Sequence, residues 1–146
     1  MYTARFSEQA YPLAAQYSDS FGAGNHDTAY VSLQDYHRAV VLINVGDMVQ
    51  NATLDALLYQ ATSTAGAGAK VITGKSITQL TQAGGDSDTL LCIELQTEEL
   101  DVDGAFDCIM LRLTVAEAAV ECSAWIFGLS PRFPSVLTTN WEEIVG

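Results

Sequence analysis

The sequence predicts an all-β fold: a single antiparallel β-sandwich domain, jelly-roll-like, with an extended arm at each end. Three observations lead there. Short runs rich in Val, Ile, Leu and Thr are separated by Gly, Asp, Asn and Ser roughly every ten residues. No alternation of strands with amphipathic helices is visible, so a parallel α/β sheet is not expected. A chain of 146 residues buries roughly two thirds of its unfolded surface, enough for a core without metal or disulfide staples. The expected organisation is an N-terminal arm over residues 1–28, a sandwich over 29–129 and a C-terminal tail over 130–146.

Residues 1–28 lack both helical and strand periodicity, yet carry Tyr2, Phe6, Tyr11, Tyr17 and Phe21 at irregular spacing. Such a segment is too aromatic for a disordered tail and too irregular for a core element. It reads as an arm, folded over its own domain or docked on a neighbour. Residues 30–33 and 38–45 are the first strands. In residues 52–62, Leu54, Ala56 and Leu58 alternate as in a strand, while Leu54, Leu57, Leu58 and Ala61 also fit a helical stripe; the strand is preferred. Gly66 and Gly68 suit a turn, and residues 71–81 supply one or two short strands. Residues 89–97 follow as a strand with Leu91, Ile93 and Leu95 on one face, Glu94 and Gln96 on the other.

After an acidic connection over 98–107, two further strands alternate cleanly. Ile109, Leu111, Leu113 and Val115 share one face of the first; Val120, Cys122, Ala124 and Ile126 share one face of the second. Folded as a hairpin about Ala116-Glu117, they place Arg112 opposite Glu121, Leu111 opposite Cys122 and Cys108 opposite Trp125. Ala-Glu is not a favoured two-residue turn, so a longer loop stays open. The prolines of the tail exclude a central strand there, and Trp141 and Ile144 are expected to be exposed.

Composition narrows the function. Hydrophobic residues make up 49% of the chain and charged ones 16%, leaving apolar surface for a partner. Eighteen acidic against six basic residues, net −12, provide almost nothing with which to neutralise phosphates, so nucleic acid is not an expected partner. No apolar window is long enough to cross a membrane, and the residues at 1–6 do not begin an export signal. Cys92, Cys108 and Cys122, odd in number and set in apolar runs, are expected to be reduced and buried, as in a cytoplasm. They lack the close pairs of a zinc site. Asp101-x-Asp103-Gly104 resembles the start of a calcium loop but lacks the later ligands; a solvated loop that protects a sheet edge is the better account. His26 and His37 stand near loops or strand starts, and no nucleophile, metalloprotease or phosphate-loop motif occurs. No catalytic residue, cofactor or metal is expected, and the chain reads as a binder rather than an enzyme. Candidate partner contacts are Tyr2, Arg5, Phe6, Tyr11, Trp141 and Ile144, chosen as apolar or charged groups on the arms.

The run YVSLQDYHRAVVLINVGDMVQNATLDALLYQATSTAGAGAK (residues 30–70), the phrase ELDVDGAFDCIMLRL (residues 99–113) and Pro131-Arg132-Phe133 resemble small virion structural proteins of tailed bacteriophages. Among these, size and composition resemble capsid decoration, or cement, proteins. That resemblance implies a homo-oligomer, most often a trimer, on the outer capsid surface. It also implies the major capsid protein as partner and assembly in the bacterial host cytoplasm. A tail or head-tail connector subunit is the alternative. A carbohydrate-binding module that uses Trp125 or Trp141 is the reading from another class.

Overall fold

The computed structural model describes residues 5–133 and 141–145. Ten strands fill most of that span: β1 (Ala10–Phe21), β2 (Gly24–Asp27), β3 (Val31–Ser32), β4 (Tyr36–Met48), β5 (Thr53–Ala61), β6 (Lys70–Ser76), β7 (Leu80–Thr81), β8 (Thr89–Gln96), β9 (Cys108–Ala116) and β10 (Val120–Pro131). One sheet has the order β1-β10-β4-β8. The other runs β2-β9-β5-β6, with β3 on β9 and β7 on β5. All pairings are antiparallel. Apart from the short β3 and β7, successive strands switch sheets except at β5–β6, which is the winding of a double-sheet jelly roll.

The core lies between the sheets, where inward faces interdigitate. Val41, Ile43 and Val45 of β4 and Val120, Ala124 and Ile126 of β10 face Leu54 and Leu58 of β5 and Ile109, Leu111 and Leu113 of β9, all at most 2% exposed. Residues 53–61 are therefore a strand, with Leu54, Ala56 and Leu58 buried in alternation.

Three expectations are corrected. Much of the expected N-terminal arm is sheet: β1 is an edge strand on β10, and β2 is an edge strand on β9. The alternation that would reveal β1 is broken by register shifts between Pro12 and Ala14 and between Gln16 and Asp19, because each bulge resets which face the next side chain takes.

The expected β9–β10 hairpin does not form, although the inward faces of both strands are as expected. β9 pairs with β5 and β10 with β4, so Arg112 lies opposite Leu57 and Asp27, Cys122 opposite Val45, and Trp125 opposite Leu42. Glu117 has φ 66°, and the Ala118 N–H donates to the Ala116 carbonyl at 2.8 Å. This γ-turn carries the chain from one sheet to the other instead of folding it back alongside itself. Finally, β10 reaches Pro131, opposite Tyr36, and the Arg132 N–H still donates to the Asp35 carbonyl at 2.7 Å, so the tail begins later than residue 130.

Candidate interaction surface

Strand direction gathers both chain ends at one pole of the sandwich, since β1 starts where β10 stops. A 3-10 turn, Phe6–Glu8, precedes β1. The Glu8 carboxylate accepts the Arg5 main-chain N–H at 2.8 Å, which fixes the turn and projects Phe6. That ring is 66% exposed and packs against Phe127 and Trp141, both 6.2 Å away between centroids. Phe127 and Trp141 are themselves 6.1 Å apart, so the three rings close one cluster of edge and tilted contacts. The Trp141 indole N–H is buried with no acceptor among the described residues.

Beside this cluster, Arg5, Phe6, Ser7, Trp141, Glu143, Ile144 and Val145 line a hollow of about 610 Å³. Four expected contact residues, Arg5, Phe6, Trp141 and Ile144, thus meet in one place from opposite ends of the chain. Tyr11 does not join them. It is 6% exposed, its ring lies 6.0 Å from Tyr36, and its hydroxyl donates to the Glu8 carbonyl at 3.0 Å. It is a core residue, and that expectation is corrected. Tyr2 lies outside the described residues.

At the same pole, a hollow of about 670 Å³ combines His37, Arg38 and Arg132 with Glu98 and Asp107. The acidic connection is tied down there. Asp101 forms an ion pair with Lys70 and accepts the Gly104 N–H at 3.0 Å, while its own N–H donates to buried Gln60 at 2.8 Å. The Lys70 hydrogen bond, aided by the Gly104 N–H, holds the Asp101 carboxyl below its ordinary value. The Gln96 N–H and Lys75 do the same for Glu99. These carboxylates close turns and pair with lysines. Among the described residues, no group of three or more His, Cys, Asp or Glu side chains is placed to hold a metal ion.

The outer faces of the two sheets differ. On β2-β9-β5-β6, Arg112 donates twice to Asp27 at 2.7 Å and once to the Tyr59 hydroxyl at 3.2 Å, and Thr114 donates to Asn25 at 2.8 Å. That face satisfies its own polar groups. On β1-β10-β4-β8, cross-strand registry lines up Ala15, Trp125, Leu42 and Cys92 in one row, and Pro12, Phe127, Val40 and Glu94 in the next. Trp125 is 37% exposed and Leu90 79% exposed. Phe127, Leu42 and Leu90 were not among the expected contacts. The unbroken apolar stretch Ala39–Ile43 carried the signal, because a half-buried strand would alternate whereas this one is apolar on both faces.

Double-sheet jelly rolls serve viral capsid proteins, lectins and cupins alike. A chain of the infectious bursal disease virus Gt strain structure shares this fold, with a TM-score of 0.51 and 13% identity, over 88% of this protein and 35% of that chain. A chain of the Gx strain structure gives 0.44 at 13% identity, over 88% and 34%. The protein therefore spans about a third of the length of the chains it matches. No protein-family model and no curated protein matches the sequence.

Proposed function

We propose that this protein is a structural component of a virus particle, a capsid decoration subunit that seats on the outside of the shell through the aromatic hollow at its terminal pole. The observation that carries the reading is the meeting of Phe6, Phe127 and Trp141 in one partly exposed cluster, with Phe6 66% exposed. Exposed aromatic groups of this kind act as anchors for a protein partner, here the major capsid protein.

The fold shared with a chain of a virus structure supports a particle component. That virus is not a phage, so the tailed-phage origin, with assembly in bacterial cytoplasm, rests on the sequence phrases. A net charge of −12 suits a site outside the shell, away from packaged nucleic acid. The reading involves no catalysis.

The test is co-sedimentation of the purified protein with particles lacking it. Saturable binding to shells, weakened at least tenfold by Phe6→Ala or Trp141→Ala, is expected. Binding confined to tails or connectors would move the protein there, and binding to neither would end the particle reading.

A further inference from the structure

We infer that the outer face of the β1-β10-β4-β8 sheet is covered by a second copy of this chain. This deepens the particle reading, on which it rests for its purpose, by naming the surface through which subunits join one another.

Three consecutive cross-strand rows define the face: Pro12, Phe127, Val40 and Glu94; Ala15, Trp125, Leu42 and Cys92; and exposed Asn44 and Leu90 beside buried Ser123. Glu94 is the single charged side chain among them. An antiparallel sandwich ordinarily presents polar residues outward, as the opposite sheet does with its Arg112–Asp27 pair.

Charge selects the occupant. The chain carries eighteen acidic and six basic residues, and among the described residues Lys70, Lys75 and Arg112 already pair with Asp101, Glu99 and Asp27. Two copies meeting through the acidic loops oppose carboxylates to carboxylates. A face with almost no charge is where a strongly acidic molecule is complementary to itself. A basic partner would instead be drawn to the carboxylate-rich loops.

Size agrees. With the flanking rows that carry Arg38 and Glu121 included, four strands about 4.8 Å apart, each contributing about eight residues of roughly 3.4 Å, span roughly 500 Å². Two such faces bury about 1,000 Å², the threshold of a specific interface.

Sedimentation equilibrium of the full chain, without particles, tests this. The wild type is expected to sediment as a multiple of 15.7 kDa at micromolar concentration, and Leu42→Glu and Leu90→Glu are expected to weaken association at least 100-fold. Leu90 is 79% exposed, so its variant folds even if Leu42→Glu does not, and an unchanged melting temperature verifies it. Labelling of Cys92, exposed in the single chain, should slow as the wild-type concentration rises. A monomeric wild type, or an oligomer indifferent to Leu90→Glu, overturns the inference. A monomer that still coats shells would leave the particle reading intact, whereas an oligomer that ignores shells would sink that reading and not this one.

Discussion

Gly128→Ala isolates a single packing contact whose effect changes sign according to the structure. Gly128 lies in β10 between Tyr11 of β1 and Ala39 of β4. Its φ is not in the left-handed region, so the backbone alone does not demand glycine. In a strand with free space, alanine there would stabilise the protein by about 0.5–1 kcal/mol. Here a methyl group would lie 2.6 Å from Cδ1 and Cε1 of Tyr36 and 2.7 Å from its Cγ, about 1 Å inside ordinary carbon contact. The ring cannot swing into solvent, because Tyr36 is 4% exposed and packs on Tyr11. Overpacking of a closed core costs about 1–3 kcal/mol, and this exceeds the backbone gain. We expect a net loss of about 1–2 kcal/mol, a melting temperature lower by about 2–8 °C. Urea denaturation followed by tryptophan fluorescence reads it. Tyr36→Leu should relieve the clash, so the double variant should lose at least about 1 kcal/mol less than the two single losses added. A Gly128→Ala protein as stable as the wild type, or additive losses in the cycle, would refute the ring-over-glycine packing.

Other perturbations follow from the same packing. Deleting residues 1–21 removes β1 from β10 and should yield insoluble protein; a soluble 22–146 fragment with a cooperative melt would show β1 to be dispensable. Leu111→Asp and Ile126→Asp, at positions 0% exposed, should each abolish folding by burying an unpaired charge, and a cooperatively melting variant of either would count against the assigned faces. Burial pushes the Cys122 thiol from 9.0 to about 11. The folded value lies above the unfolded one, so the associated stability is complete below pH 9 and is lost as pH rises toward about 11, by about 3 kcal/mol in all. Melting temperatures across that window should fall less steeply in Cys122→Ala, and parallel slopes would remove Cys122 from the account.

How much was legible in the sequence varies with how local the governing force is. Alternation in residues 109–115 and 120–126 was enough to name the buried faces of β9 and β10, because burial of one face is written residue by residue along a strand. Their partners were not legible. Two amphipathic strands joined by a short loop satisfy the same pattern beside one another or across a core, and the pairing of β9 with β5 and of β10 with β4 decides between them. β1 escaped for a related reason, since its two bulges erase the alternation while the strand pairs with β10 on either side of each bulge.

The candidate surface divides in the same way. Arg5, Phe6, Trp141 and Ile144 could be picked as aromatic, apolar or charged groups on irregular segments, whereas Tyr11 could not be told from them until its ring was placed against Tyr36. Chain chemistry alone determined the all-β class, the core faces, the acidic character and the aromatic ends, all of which depend on composition and near-neighbour spacing. Tertiary structure alone decided that the two ends meet on Phe127 and that Trp125, Leu42 and Cys92 share one uncharged row. Those juxtapositions depend on strand order, and strand order is settled by contacts between residues far apart in the chain.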